Sequence, residues 1–366
     1  MTQGNHTNGS ARVSSALIVG AGIIGAVTAY HLARRGIAVT IIERGRAAAG
    51  ATAASFAWIN ASAGRTKDYF DLRQRSLLEY RILAAGLTGG LPLDWSGSLI
   101  WDEEEVGDPE DFAERYSAWS YESRIVGRDE LARREPAVKD VPDRALLMPD
   151  EGSLHPVKGT LALLEAAKAA DARLIEGWTV SRLVTRGDRV VGVETEGGEM
   201  TADCVLLATG TDTQRLCEGV GLTVPIEASP GLLAHCKPHA RLINHILITP
   251  GLHMRQDSDG RIIAGRTFGG GPVPNDRETE GRRLVRDIKQ RLKGAEGLEF
   301  ESATVGYRPI PADGYPAIGF AMPGLYVTAM HSGITLAPAV GRFAAMEILD
   351  GRRVSLLEPF RPGRFT

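Results

Sequence analysis

Hydrophobic and polar positions cut the N-terminal part of the chain into short, sharply bounded blocks. Ala16–Val19 is an unbroken apolar run that stops at glycine, the pattern of a strand buried in a parallel sheet. Beyond Gly20-Ala21-Gly22-Ile23-Ile24-Gly25, the stretch AVTAYHLARRG reads as a helix closed by Gly36. Ala38–Ile42 then reads as a second buried strand, ending in Glu43. Similar blocks return later. Gly159–Ala170 is an Ala/Leu-rich helix. Strands at Thr179–Thr185 and Val190–Glu194 flank a Gly187-Asp188 turn, and a third strand stops at Leu207, before Ala208-Thr209-Gly210. Near the C-terminus a short strand, Leu325–Thr328, enters a Gly-rich loop and a helix that continues to Leu349.

Between these blocks the pattern changes. LLAHCKP, HILITP, LHMRQ and RIIAGR read as antiparallel strands with polar residues at every second position, which predicts a sheet forming one wall of a pocket. A charged helix follows at Arg277–Lys293. Upstream lie WSGSLIWDEEE, the acidic DPEDFAE and the helical RDELARREP, whose charge run predicts a solvated face.

Composition narrows the class. The chain has 366 residues, 42 Lys+Arg against 45 Asp+Glu, 43% hydrophobic and 24% charged positions, which fits a soluble, core-forming protein of two domains or one large elaborated one. The net charge of −3 argues against a nucleic-acid partner. Cys204, Cys217 and Cys236 are too few and too scattered for a disulfide framework or a zinc site. They predict buried small hydrophobes, a reducing, cytoplasmic location and no metal. Residues 1–15 are polar and predict a disordered leader; their two Asn-X-Ser/Thr triplets match a pattern frequent by chance. The uncharged segment Ala16–Tyr30 could be taken for a membrane anchor. It is shorter than the ~20 residues a span needs, and its glycines have another explanation, so no membrane span is expected.

That explanation is a dinucleotide site. Glycine makes up 43 of the 366 positions, roughly 12% against about 7% on average, without low-complexity repeats. Gly20 permits a tight turn, Gly22 lets the backbone approach a pyrophosphate, and Gly25 lets helix and strand pack closely. Phosphates then sit on the helix N-terminus, bordered by Ile23 and Ile24. Glu43, about 20 residues on, can accept hydrogen bonds from ribose hydroxyls and would repel a 2′-phosphate, which argues against NADP.

These motifs, with the Ala208-Thr209-Gly210 strand end, GYRPIPADGYPAIG at 306–319 and MHSGITLAPAVGR at 330–342, resemble the FAD-dependent D-amino-acid oxidase superfamily. That group contains glycine oxidase, sarcosine oxidase and D-amino-acid dehydrogenases, and the likeness runs from Ala16 to the C-terminus with a vaguer middle. It implies an α/β fold: a Rossmann-type, glutathione-reductase-like FAD-binding domain with an interleaved α+β substrate domain on a mainly antiparallel sheet. The expected FAD-binding segments are 16–90, 151–224 and 304–366, and the substrate segments 91–150 and 225–303. By the same resemblance, Val180 offers its backbone to adenine, and Thr209 and Gly210 lie near the pyrophosphate beside Arg44. Thr52, Ala53, Ala54 and Ser55 run beneath the flavin; their residue types alone would equally read as a helix start.

The resemblance also assigns chemistry. The arginine of Gly-x-Arg-Pro, here Arg308, grips the substrate carboxylate, a task suited to a planar guanidinium; the residue types leave open a structural arginine paired to Asp313 or to backbone carbonyls. Ser332, Gly333, Ile334 and Thr335 open a helix toward the flavin, and His331 touches flavin or substrate, or is simply a satisfied loop residue. Tyr307, Arg255 and Arg266 are expected to line the substrate pocket, with Tyr121 and Trp101 as further lining residues.

Two departures stand out. Gly306 falls where the sarcosine-oxidase branch carries a flavin-bonded cysteine, which implies noncovalent FAD. Ile262 falls where that branch has a lysine that assists oxygen, so oxygen or another electron acceptor remains open. The expected reaction is oxidation of the C–N bond of an amino acid or secondary amine, giving an imine that hydrolyses. A 2-hydroxy-acid dehydrogenase and the flavin subunit of a heteromeric amine dehydrogenase are the alternatives, and a homo-oligomer is equally compatible.

Overall fold

The computed structural model describes residues 13–266 and 276–365. The first β-α-β unit forms as its pattern dictates. Strand Ser15–Val19 lies parallel to Ala38–Glu43 on one side and to Cys204–Leu207 on the other. Helix Ile23–Ala33 bridges the first two, and Gly36 ends the turn after it with φ +76°. The strand starts one residue inside the expected leader, because Ser14 and Ser15 hydrogen-bond to the carboxylate of Asp203 (2.8–3.0 Å). The leader's residues 1–12 lie outside the described residues.

The full sheet has six strands in the order Ala317–Met322, Leu325–Ala329, Cys204–Leu207, Ser15–Val19, Ala38–Glu43 and Arg173–Glu176. All neighbours are parallel except the first pair. Helices Pro156–Lys168 and Gly333–Asp350 cover it together with Ile23–Ala33, and the Val180–Arg186, Arg189–Thr195, Gly198–Thr201 meander packs against its other face. Its strands therefore come from three distant stretches of sequence.

The second sheet has eight strands: Phe300–Pro311, Ile226–Cys236, Ile262–Gly265, Leu252–Gln256, Ile246–Thr249, Ser98–Ile100, Arg144–Met148 and Arg124–Gly127. It is antiparallel except where Ile246–Thr249 meets Ser98–Ile100. Strand Phe300–Pro311 pairs along its length with Ile226–Cys236, so the expected boundary at 304 falls inside a strand of this sheet. The expected exposure of alternate positions is not what forms. Leu252–Gln256 and Ile262–Gly265 are buried throughout, because the sheet is covered on both faces. Helix Arg277–Arg291 takes the side of Leu252, Met254, Ile262 and Ala264. Ile100, Ile248 and Ile263 pack on the opposite side with the nucleotide-binding half.

Helix Lys67–Gly86 links the two halves and was not evident from its charged sequence. It buries Tyr69, Leu72, Arg73, Ser76, Leu77, Tyr80 and Leu83, a stripe at helical spacing interrupted by exposed charges. A small sheet of Trp58–Ile59, Gly152–Leu154 and Leu93–Asp94 lies beside it. No helix among the described residues is long and apolar enough to cross a membrane.

Candidate active site

A cavity of about 1500 Å³ runs from the first β-α-β turn to the edge of the eight-stranded sheet. Most small-molecule pockets are ~300–1,000 Å³, so this one has room for a dinucleotide and a substrate. Its nucleotide end is a cradle that side chains would fill. A Cβ on Gly20, whose φ is +104°, would lie 2.4 Å from the carbonyl oxygen of Ala208. A Cβ on Gly25 would lie 2.0 Å from that of Gly20. Gly20 and Gly22 face the cavity; Gly25 does not, and serves the packing of helix on strand.

Neither helix that opens into the cavity, Ile23–Ala33 or Gly333–Asp350, has an acidic residue in its first turn or a side-chain cap from its own N-cap residue. Their first N–H groups and dipoles therefore remain suited to anionic or electron-rich ligand groups. The one side chain that serves the first helix comes from outside: Thr52 Oγ1 accepts from Ile23 N (3.2 Å). Residues 51–54 form turns rather than a helix start, since Thr52 caps a helix 29 residues earlier. Glu43 accepts from Ala21 N and Gly45 N, both at 2.9 Å, and its carboxylate still has acceptor capacity toward the cavity. The residues present fit a dinucleotide.

Ile23, Ile24, Arg44, Thr52, Ala54, Ser55, Val180, Thr209 and Gly210 all line this cavity, as do Gly306, Arg308, Ser332, Gly333, Ile334 and Thr335. Arg44 lies 3.7 Å from Asp212, and the carbonyl of Val180 accepts from Arg215. Gly306 sits in strand Phe300–Pro311, where a Cβ would come within 2.7 Å of the Ala54 Cβ. A cysteine does not fit there without moving that loop. Cys204, Cys217 and Cys236 are buried elsewhere, with burial pushing each thiol up to about 12.

At the other end, Arg308 is half-buried beside Tyr307, and burial lowers its pKa. Its Nη2 donates to Pro230 O (2.8 Å) and Ser229 Oγ (3.1 Å), and its Nε to Ser229 O (3.3 Å). Asp313 is instead engaged by Arg364. His331 adjoins this group; burial, then the charges of Arg308, Arg73 and Arg65, push it down to about 4. It is an uncharged imidazole at neutral pH.

Other expected lining residues lie elsewhere. Arg255 is buried outside the cavity, donating to Phe56 O (2.6 Å) and pairing with Asp257. Tyr121 points to Glu151 (3.3 Å), and Trp101 packs on the helix side of the sheet. Arg266 reaches the mouth but is held by Glu280 (3.2 Å) and Asp287 (3.1 Å). Ile262 faces helix Arg277–Arg291, because strand alternation gives the opposite face to Ile263 and Gly265. No lysine lines the cavity among the described residues, and these contain no cluster of three potential metal ligands.

The structure adds residues that motif spacing did not reveal. Helix Lys67–Gly86 brings Arg73 to the cavity, where it bonds Asn60, Tyr69 and Ser332. A buried carboxyl, Glu151, organises the adjacent wall by accepting from Trp58 Nε1 (2.9 Å), Ser62 N (3.1 Å) and Ser98 Oγ (2.5 Å). Burial raises its pKa.

Comparison with known proteins places the chain and its fold. The chain is 27% identical to glycine oxidase of Pseudomonas aeruginosa over 92% of its length and 94% of that protein's. It is 25% identical to hydrogen cyanide synthase subunit HcnC of the same organism, covering 84% and 85% of the two chains. The crystal structure of glycine oxidase from Geobacillus kaustophilus superposes with a TM-score of 0.86 at 25% identity, over 97% and 98% of the chains. The family model described as DAO, FAD dependent oxidoreductase, matches residues 15–346, and the chain belongs to that family of FAD-dependent enzymes.

Proposed function

We propose that this FAD-dependent oxidoreductase oxidises the C–N bond of an amino acid or secondary amine, giving an imine that hydrolyses to a carbonyl compound and an amine. The observation that carries this reading is Arg308, a half-buried guanidinium at the same cavity as the dinucleotide cradle, whose Nη2 donates to Ser229 and Pro230, oxygens that a substrate carboxylate can replace. Bound FAD supplies the hydride acceptor. Arg308 would hold the substrate carboxylate by two charge-assisted hydrogen bonds and so fix the carbon that loses hydride. The charges of Arg308, Arg73 and Arg65 that depress His331 would likewise favour the neutral form of an amine bound there. Only that form has the lone pair that drives hydride departure. His331, uncharged, can accept an N–H from the amine without repelling it. No strong side-chain base is required.

The cavity lacks a lysine among the described residues, which favours an acceptor other than oxygen. The likeness to a hydrogen cyanide synthase subunit supports a second reading, that the chain is the flavin subunit of a heteromeric amine dehydrogenase.

The test is anaerobic bleaching of the flavin by a panel of glycine, D-, L- and N-alkyl amino acids and 2-hydroxy acids. Bleaching by amines alone supports the proposal, and bleaching by hydroxy acids alone sinks it. Arg308→Ala should retain FAD and lose at least a hundredfold in kcat/KM, about 2.7 kcal/mol, as a charge-assisted pair is removed. Unchanged kinetics would defeat the carboxylate role.

A further inference from the structure

Arg73 is only 2% exposed, and burying a guanidinium is costly unless an anion accompanies it. Other interior charges have such partners: Arg255 pairs with Asp257, and Glu347 with Arg361. Arg73 differs. Its hydrogen bonds end on neutral oxygens: the Asn60 carbonyl (3.1 Å), the Asn60 side-chain amide, the Tyr69 hydroxyl (3.1 Å) and Ser332 Oγ (2.7 Å). Glu151, whose charge acts on the same Tyr116, gives its carboxyl to Trp58, Ser62 and Ser98 instead.

The uncompensated charge is directed at the cavity. Asn60, Tyr69, Arg73 and Ser332 all line it. Ser332 is the N-cap of helix Gly333–Asp350, and its side chain makes no cap of its own. The charge of Arg73 also acts at this end, where with burial and Arg308 it lowers the pKa of His331. Cation and helix N-terminus thus reinforce each other at one place.

A hydride carries two electrons and one proton, so its arrival leaves one unit of negative charge on the cofactor. We propose that Arg73 is the built-in counter-charge for reduced, anionic FAD. It is a positioning residue: it acts through Ser332 and through its field, and makes reduction of the bound cofactor more favourable. The inference rests on FAD dependence and not on the C–N reading.

The test uses FAD-loaded enzyme without amine substrate. Sulfite, which adds to oxidised flavin and leaves it negatively charged, is titrated spectroscopically, and the two-electron midpoint potential is measured against a reference dye. Arg73→Gln should bind sulfite at least tenfold more weakly and lower the potential by about 30 mV, the equivalent of tenfold for two electrons. Arg73→Lys, which keeps the charge, should stay within threefold. Wild-type sulfite affinity and potential in Arg73→Gln would overturn the proposal and leave the cation to the substrate carboxylate. If Arg73→Gln fails to hold FAD, Ser332→Ala decides: a threefold weaker sulfite complex supports the proposal, and an unchanged one overturns it.

Discussion

Gly306→Ala puts a methyl group 2.7 Å from the Cβ of Ala54 and 3.0 Å from its carbonyl oxygen. Something must move. Strand Phe300–Pro311 is held by its ladder to Ile226–Cys236, with Gly306 opposite Gly231, so the displacement falls on the loop around Ala54. That loop carries Thr52, whose hydroxyl caps the helix at Ile23. Overpacking of this kind costs about 1–3 kcal/mol. Because the displaced loop lines the cavity, the cost should appear in cofactor binding as a roughly 5- to 150-fold rise in the Kd for FAD. The assay is FAD titration of apoprotein by fluorescence quenching, with thermal melts in parallel and exposed Gly127→Ala as control, since nothing lies within 4 Å of a Cβ there. Gly306→Cys should behave like the alanine variant and form no flavin bond that survives acid precipitation. Binding of FAD within twofold of wild type by either variant would refute the steric reasoning, as would a covalent flavin in the cysteine variant.

Thr52→Ala should lower the melting free energy by about 1 kcal/mol and weaken FAD, whereas Thr52→Ser should be near wild type; equal melts for all three would show that the cap contributes nothing. Acid should destabilise the fold through its buried histidines. His253 is 1% exposed, and burial pushes it down to about 4 although Asp102 lies 3.7 Å away and pulls the other way. The unfolded chain takes up this proton near pH 6.5, the folded one only near 4. Stability is therefore full above about 6.5 and lost as the pH falls toward 4, by up to about 3 kcal/mol for this group. Urea midpoints that stay level between pH 7 and 5 would contradict this.

The nucleotide half was legible because its determinants are local. A strand that ends in glycine, a helix and a second strand ending in an acid are each set within a few residues, and Gly20, Gly22 and Glu43 lie where their spacing required. The strand end at Ala208-Thr209-Gly210 and the helix from Gly333 were readable for the same reason. The substrate half was not. Its strands are covered on both faces, so polar residues such as His253 and Arg255 are buried rather than alternating with solvent. An alternating pattern alone does not distinguish these cases, and matching to the family could not show that Ile262 faces the covering helix rather than the cavity. Arg73 and Glu151 were invisible for a different reason. Arg73 in its charged helix, and Glu151 in the short connection between strands Arg144–Met148 and Gly152–Leu154, look solvated until the partners that bury them, Asn60 and Ser332 in one case, Trp58 and Ser98 in the other, are brought from distant segments.

The order of strands in the six-stranded sheet bears on how the protein is made. Ser15–Val19 and Ala38–Glu43 emerge from the ribosome early, but the strand beside them, Cys204–Leu207, emerges some 160 residues later, and Leu325–Ala329 later still. At about 5–20 residues per second, the phosphate turn is synthesised tens of seconds before the helix at Gly333. Until Cys204–Leu207 has emerged, the edge of Ser15–Val19 that will pair with it is an unsatisfied strand edge, apolar from Ala16 onward, the kind of surface that recruits other chains. FAD can find both ends of its cavity only once almost the whole polypeptide exists, so cofactor capture should be among the last events of folding. Truncation near the C-terminus would then leave a chain with its nucleotide motif intact and no holoenzyme.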